Sequence, residues 1–431
     1  MLNVRNRVVV VGAGYGGLRV AQRLGRYFHH QERGELVVVD QHDYHLHEVK
    51  LHQVTAASIE PERVTIPFDR LIDDRQIQFL QARVTGFDYA RKTVFTDSSE
   101  ITYDTLVVAL GSETDFFGIP GMEQYALTLK SLDEAIRIRE HIRNAFASTL
   151  NLQDVDGRRT LLTFVVGGGG FTGTELAAEL ADWLPSLCQN YRVDRRDVRL
   201  MVVEAGPSIL PGFDPELVDK ALKVLARKGI QVILSTPVVE AGSHHIRLKS
   251  GETITTNTII WTGGVRGRPL VSNSGLTTGS RGRVVVNPYL ESVDYPGVYI
   301  VGDSALVVDH ATNRPVAPSA QVALEEAAAV ADNIRAALEG QPRRAFEPHL
   351  RGEFVSLGRD NGVGVLGGIK LSGRLAILLK RVNEYRYLVE IGGLTLAWRY
   401  LVGTPPARAE RATGALQESS DGIDQRRRVS K

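Results

Sequence analysis

Apolar residues in this chain gather in short continuous runs rather than in strict alternation, and helix-period stretches separate the runs. From Arg7 to Val11 the chain is nearly all valine and stops at Gly12, the signature of a strand buried on both faces of a parallel sheet. A helix from about Gly16 to Phe28 follows, and Glu35 to Asp40 repeats the strand pattern and ends on an acid, completing a βαβ unit. The same plan recurs at Leu161 to Val166, a helix from about Gly173 to Leu187, and Arg199 to Glu204. Tyr103 to Leu110 and Thr258 to Thr262 are further apolar strands, ending at Gly111-Ser112 and Gly263-Gly264. Val298 to Val301 leads into Gly302-Asp303, and then into a helix from about Ser319 to Leu338. The pattern predicts an α/β protein with two Rossmann-like dinucleotide-binding domains and a small α+β C-terminal cap. Residues 1–120 form the first part of one domain, 121–275 the second domain, and 276–340 the return to the first. Residues 341–403 form the cap, and the polar stretch 404–431 is expected to be disordered because it cannot bury enough surface to offset its ordering entropy.

Composition narrows this picture only slightly. With 431 residues, 43% apolar and 23% charged, the chain can build two or three cores. Lys plus Arg (51) nearly cancels Asp plus Glu (50), so no global field draws it to nucleic acid. The single cysteine, Cys188, excludes intramolecular disulfides and CxxC redox pairs, which suits a reducing compartment. No apolar run is long enough to span a bilayer, and the first strand begins too early to leave room for a signal peptide. A soluble or peripherally attached protein is expected.

The candidate chemistry lies where strands meet helices. Gly12-Ala-Gly14-Tyr15-Gly16-Gly17 and Gly168-Gly-Gly170-Phe-Thr172-Gly173 each follow an apolar strand and open a helix. In such fingerprints the first glycine makes the tight turn, the second lets backbone approach a pyrophosphate, and the third lets helix and strand pack closely. The helix N-terminus then offers free amides and partial positive charge to the phosphates. Asp40 and Glu204, at the ends of the following strands, are placed to accept ribose hydroxyls; a carboxylate at Glu204 favours NADH over NADPH. Glu204 comes later than the usual offset of about 20 residues, and the polar stretch Asn190 to Asp197 accounts for the surplus. Two dinucleotide sites imply hydride transfer between nicotinamide and flavin, with the protein supplying placement and electrostatics. Gly302-Asp303 suits the second half of a flavin site, where Asp303 can bond a ribityl hydroxyl. Pro318-Ser319-Ala320-Gln321 starts a helix whose dipole would favour the reduced flavin.

Taken in order, Val8 to Leu18, Tyr44-His-Leu, Leu51-His-Gln, Tyr103-Asp to Gly111-Ser and Gly168 to Glu175 resemble the type II NADH dehydrogenases. So do Val203-Glu-Ala-Gly-Pro, Leu210-Pro-Gly-Phe-Asp, Ile260-Trp-Thr-Gly-Gly-Val-Arg-Gly, Val301-Gly-Asp and Ala320-Gln. These are single-subunit, non-proton-pumping NADH:quinone oxidoreductases of the respiratory chain, with a glutathione-reductase-like fold. The resemblance implies noncovalent FAD in the first unit, NADH in the second, and a membrane quinone, menaquinone or ubiquinone, as acceptor. It places Gly12, Gly14, Tyr15, Gly16, Gly17, Asp40, Val84, Ala109, Gly111, Gly302, Asp303, Ala320 and Gln321 against FAD. Gly168, Gly170, Thr172, Gly173, Glu175, Glu204 and Gly264 fall on the NADH side, with Glu175 near nicotinamide and flavin. A carboxylate in a first helical turn also simply suits the dipole, so both readings of Glu175 stand.

The family's quinone helix commonly reads Ala-Gln-x-Ala-x-Gln, whereas this chain has Ala320-Gln321-Val-Ala323-Leu-Glu325. An ionised Glu325 accepts hydrogen bonds but donates none, while a protonated one could donate to a quinone carbonyl. A flavoprotein reductase with a soluble acceptor, and a non-catalytic FAD- and NADH-binding sensor, therefore stay open. Catalytic roles are expected for Glu175, Gln321, Glu325 and Lys380, the last resembling a basic position near the family's quinone tunnel.

His42, His45, His47 and His52 crowd together without a cysteine to complete a metal site, and the resemblance implies that this stretch packs against FAD; no GxSxG or HExxH motif is present. In the cap, Leu371, Leu375, Leu378, Val382, Tyr385 and Val389 make one helical stripe beside Lys370, Arg374, Lys380, Arg381 and Arg386. Such a helix suits an anionic membrane surface, here the cytoplasmic face of the cell membrane, or else packs on the body or a second subunit as a homodimer.

Overall fold

The computed structural model describes residues 6–29, 34–73, 75, 77–309, 313–349 and 352–402. The predicted disordered tail 404–431 lies outside them. Strand β1 (Asn6–Val11) leads through the first glycine turn into α1 (Tyr15–His29) and β2 (Gly34–Asp40); β3 (Gln78–Gln81) and β4 (Thr105–Val108) extend the same sheet. The valines of β1 are fully buried because parallel neighbours flank it on both sides, β2 in the register Val9 to Val37 and β4 in the register Val9 to Leu106.

The second unit repeats this construction. It comprises β5 (Leu127–Thr128), α2 (Leu132–Ser148), β6 (Thr163–Gly167), α3 (Phe171–Tyr191), β7 (Arg199–Val203), α4 (Pro215–Arg227), β8 (Ile230–Ile233) and β9 (Thr258–Trp261). Its parallel sheet runs β5-β9-β6-β7-β8. Two boundaries differ from expectation. Leu161 ends a short helix, Val155–Leu161, so β6 starts at Thr163. Helix α3 continues through Pro185 to Tyr191 and has 21 residues against 15 in α1. The long offset to Glu204 is therefore partly helical, and only its end is the polar turn Arg195–Asp197.

After the second unit the chain returns with β10 (Val298–Ile300), which pairs with β4 and completes the first sheet as β10-β4-β1-β2-β3. Helix α5 (Ala320–Leu338) packs along α1, with Arg23 paired to Asp332 at 2.9 Å. A short antiparallel ribbon, Ser112–Thr114 with Val265–Gly267, joins the two units.

The cap consists of an antiparallel sheet, β11 (Gly352–Ser356), β12 (Gly362–Leu366) and β13 (Ile369–Ser372), and a long helix α6 (Arg374–Val402) broken at Gly393, where φ is +72°. Its sheet packs into the core of the second unit through Val355, Leu357 and Val363. Its helix packs into the core of the first through Tyr387, Leu388, Ile391, Leu396 and Ala397. The cap thus straddles both units.

The predicted stripe needs correcting in detail. Leu371 belongs to β13, not to the helix. Leu375, Leu378 and Val382 are more than half exposed, whereas Ala376, Ile377 and Leu388 are the buried side. Leu375, Leu378 and Val382 therefore do not pack on the body, whereas Tyr385 of the same stripe packs against the core of the first unit. Lys370 is held by Asp214 at 2.8 Å, Arg386 by Glu390 at 2.9 Å, and Lys380 points inward. Arg374 and Arg381 have no acidic partner among the described residues.

Candidate functional site

The two glycine turns have the same geometry. Gly12 and Gly168 adopt positive φ, +89° and +110°, and a Cβ on either would meet the carbonyl of the neighbouring strand end, Ala109 or Thr262, within 2.7 Å. A Cβ at Gly17 would lie 1.8 Å from Gly12 O, and one at Gly173 2.0 Å from Gly168 O. At Gly14 and Gly170 a Cβ would meet nothing within 4 Å. In both turns the outer glycines are forced by packing and the middle one faces open space, as a diphosphate cradle requires. Gly16 serves packing as well, since its Cβ would strike Val301.

The strand-end acids do more than expected. Asp40 Oδ2 accepts the Ala13 N–H at 2.7 Å, and Glu204 Oε2 accepts the Gly169 N–H at 2.5 Å. Their other oxygens accept from His42 and Gly206. Each acid therefore braces its turn through one bond per oxygen, and each oxygen retains a lone pair for a ribose hydroxyl.

Gly111 and Gly302, both at φ near +70°, bring two more turns against the first cradle. Ser304 Oγ donates to Gly111 O at 2.9 Å, and Ser112 Oγ donates to Asp303 Oδ2 at 2.6 Å. Lys130 reaches in from the segment entering the second unit, bonding Glu48 and lying 3.9 Å from Asp303. Burial would lower the Lys130 pKa, but Glu48 and Asp303 outweigh it and raise the value. Glu134 fixes this lysine's turn, accepting from Thr128, Lys130 and Ser131. Ala109 lies against Gly12 and Gly17, and Val84 is buried at the start of the adjoining strand Val84–Asp88.

Glu175 lies just past the first turn of α3, which begins at Phe171, rather than in that turn as the sequence suggested, and it is buried and fully engaged. Its Oε1 accepts from Ser356 N–H at 2.7 Å, Ser356 Oγ at 2.8 Å and Lys380 Nζ, while Oε2 lies 3.8 Å from His52 Nδ1. Burial alone would raise its pKa; Lys380, His52 and Ser356 reverse this and hold it below the usual carboxylate range. The structure thus joins Glu175 to Lys380 and adds Ser356 and His52. It keeps this pair apart from Gln321 and Glu325 in its hydrogen bonding. There the Gln321 amide donates to Glu325 Oε1 at 3.1 Å, and Glu325 Oε2 accepts from the His349 N–H at 2.9 Å. Ser319 caps α5 by accepting from Val322 N–H, so Ala320 and Gln321 form its first turn.

Thr172 is exposed at the start of α3, beside the open face of Gly170. Gly264 sits under the Phe117 ring, where a Cβ would fall 2.9 Å from it. Of the four histidines, His42 stacks on Tyr44 and the other three are buried. Burial lowers the His45 pKa to about 4, so the ring is neutral at pH 7. Its Nδ1 faces Ala13 O at 3.1 Å, and a carbonyl can only accept, so Nδ1 carries the proton. Nε2 then accepts from Tyr387 OH at 2.7 Å. The cap helix is thereby hydrogen-bonded through one imidazole to the first glycine turn.

Sequence reasoning missed Glu326, Lys130, Ser112, Ser356 and the role of Tyr387. Glu326 is buried, accepts from Gly302 N–H at 2.5 Å, and burial pushes its pKa up to about 8. Its spacing from Val322 and Val330 does mark a buried helix face. For Lys130 and Ser356 no local pattern signals the placement, because their partners are distant in sequence.

Residues 6–327 match the family model described as pyridine nucleotide-disulphide oxidoreductase. A type II NADH:quinone oxidoreductase of Staphylococcus saprophyticus is 34% identical over 402 residues, 93% of this chain and 99% of that protein. Among solved structures, NDH2 from Plasmodium falciparum in complex with NADH superposes with a TM-score of 0.83 at 18% identity, covering 94% of this chain and 99% of that one. The sulfide:quinone oxidoreductase of Aquifex aeolicus shares the fold at TM-score 0.73 and 18% identity, covering 95% and 94%. With its duplicated glycine cradles and this near full-length similarity, the chain belongs to the type II NADH:quinone oxidoreductases.

Proposed function

We propose that the first unit holds FAD, that the second holds NADH, and that the exposed face of α6 sets the enzyme on the cytoplasmic face of the cell membrane, where it reduces a quinone. The activity of the family is NADH:quinone oxidoreduction, in which NADH, a proton and quinone give NAD and quinol. Bound FAD would supply the hydride acceptor and the two-electron donor.

The observation that carries the assignment is the pair of open glycine positions, of which only Gly14 is joined by Gly111, Ser112, Gly302 and Asp303. A flavin carries a ribityl chain and rings beyond its diphosphate, and those additional polar groups suit it. Glu204, bracing the second cradle, supports NADH because a carboxylate repels a 2′-phosphate. Glu175 is held ionised at neutral pH and keeps Lys380 in place, so the pair can fix one charge distribution between the units. Gln321 and Glu325, at the start of α5, are assigned to the acceptor side.

Among the described residues no helix is long and apolar enough to cross a membrane. Leu375, Leu378, Val382, Leu394 and Trp398 are instead exposed along α6, with Arg374, Arg381 and Arg399 among them. Apolar side chains interleaved with arginine and an interfacial tryptophan favour a lipid surface over a second copy of the chain.

Anaerobic NADH should bleach the flavin absorbance of the purified protein, and a short-chain quinone should restore it rapidly. Slow restoration with fast turnover on a soluble dye would favour a soluble acceptor, above all if Glu325→Gln then gained quinone reduction. Flavin that stays oxidised under NADH would overturn the enzymatic reading.

A further inference from the structure

A cavity of about 430 Å³ opens beneath α6, between that helix, the short helix Leu51–Thr55 and α3. None of the dinucleotide chemistry above uses its outer rim. Its charged side chains are Lys50, Glu179, Arg359, Lys380, Arg381 and Glu384. Four of them are already engaged: Lys50 pairs with Glu384 at 2.9 Å, Lys380 with Glu175, and Glu179 accepts from Ser58 Oγ at 2.6 Å. Arg359 and Arg381 line the same cavity, are exposed, and have no side-chain partner among the described residues. The cavity therefore presents two guanidinium groups outside any of these ion pairs. Ile59, Ile377 and Leu388 give it apolar walls.

The position of Arg381 supplies the second argument. It lies within one turn of Leu378 and next to Val382, which are 57% and 53% exposed on the outer face of α6. A ligand satisfying the guanidinium groups thus has an apolar surface directly beside its anionic end. Guanidinium forks match phosphate oxygens in geometry and charge, and each such bond is charge-assisted. The geometry points to a binding site for one anionic phospholipid, its phosphate between Arg359 and Arg381 and its acyl chains along Leu378 and Val382. The neighbouring acids do not cancel the site: Lys50 and Lys380 offset Glu384 and Glu175, and Glu179, held only by the Ser58 hydroxyl, offsets one of the two arginines and leaves the lining net positive. Such a site would fix the orientation of the enzyme on the bilayer, which an apolar face alone does not. It rests on the membrane reading above.

The test uses full-length holoenzyme on phosphatidylcholine vesicles with and without phosphatidylglycerol, and a thermal shift with short-chain phosphatidylglycerol below its micelle concentration. Wild type should bind the anionic vesicles more tightly by roughly tenfold or more. The Arg359→Gln/Arg381→Gln variant should lose that preference while retaining binding to neutral vesicles, flavin absorbance and NADH oxidation by a soluble dye. Arg374→Gln, an exposed arginine outside the cavity, should keep most of the preference; if it loses as much as the double variant, diffuse surface charge is responsible and the site is overturned. Short-chain phosphatidylglycerol should stabilise wild type and not the double variant. Equal stabilisation by inorganic phosphate would assign the site to free phosphate and overturn the lipid. Failure to bind any vesicle, with the short-chain lipid still stabilising wild type only, would support the site and overturn the membrane reading.

Discussion

A carboxyl group buried against one backbone amide holds its proton at neutral pH, and Glu326 is such a group, with its pKa pushed up to about 8 by burial, only partly offset by the Gly302 N–H. An unfolded glutamate releases that proton near 4.5, so between pH 4.5 and 8 the folded chain binds a proton that the unfolded chain does not. Stability contributed by this residue therefore falls as pH rises through that window, by on the order of 3 kcal/mol at pH 7. Glu326→Gln keeps an acceptor for Gly302 and cannot titrate. In urea unfolding it should match wild type near pH 4 and exceed it increasingly towards pH 8; parallel stability curves would refute the buried-proton account. Glu175 makes the opposite case, an ionised acid whose charge is neutralised by Lys380. Lys380→Met should cost roughly 3 to 5 kcal/mol by leaving that carboxylate unpaired, and Glu175→Gln/Lys380→Met should recover most of the loss. A double variant no more stable than Lys380→Met would mean the pair is not what holds the cap there.

At the scale of elements, the two βαβ turns separate folding from binding, because the outer glycines are constrained by the chain and the middle ones by what they face. Gly17→Ala puts a Cβ 1.8 Å from Gly12 O and should impair folding, whereas Gly14→Ala meets nothing within 4 Å and should fold. Gly14→Ala should then emerge from gel filtration depleted of flavin. Gly170→Ala should retain flavin and show a raised KM for NADH; the reverse pattern would exchange the two cofactor assignments. This duplication was legible in the residues themselves, since a glycine turn between a valine run and a helix is set by local sterics. The face of α6 was legible only as a period. Leu375, Leu378 and Val382 share one side, but Ala376, Ile377, Leu388 and Ile391 are equally apolar, and only packing against both units decides which side is covered. The same holds for Lys380. Its resemblance to a basic position near the family's quinone tunnel marked it, but nothing local pointed to its partner Glu175, 205 residues away in the chain. Lys130, whose bonds to Glu48 and position near Asp303 span the two units, carried no sequence signal at all.

For the whole molecule, the cap is the element that both units share. Tyr387 reaches the first cradle through His45, Gln22 of α1 donates to Ile391 O at 2.6 Å, and Lys380 and Ser356 hold Glu175 of the second unit. Whatever anchors α6 from outside therefore orients both cofactor sites together. The proposed anchoring surface is the row Leu375, Leu378 and Val382, each a little over half exposed. Transferring the exposed part of such side chains from water to lipid is worth roughly 1 kcal/mol apiece. Leu375→Ser/Leu378→Ser/Val382→Ser should therefore weaken binding to neutral vesicles by about a hundredfold. The buried side of the helix is untouched, so flavin content, thermal midpoint and NADH oxidation by a soluble dye should stay near wild type. Quinone reduction should fall only when the quinone is embedded in vesicles, because the defect lies in reaching the acceptor and not in the transfer. If vesicle binding survives while a wild-type dimer dissociates in analytical ultracentrifugation, the row is an interface between two copies. The lipid surface would then have to be met by the segment around Leu394 and Trp398 beyond the break at Gly393.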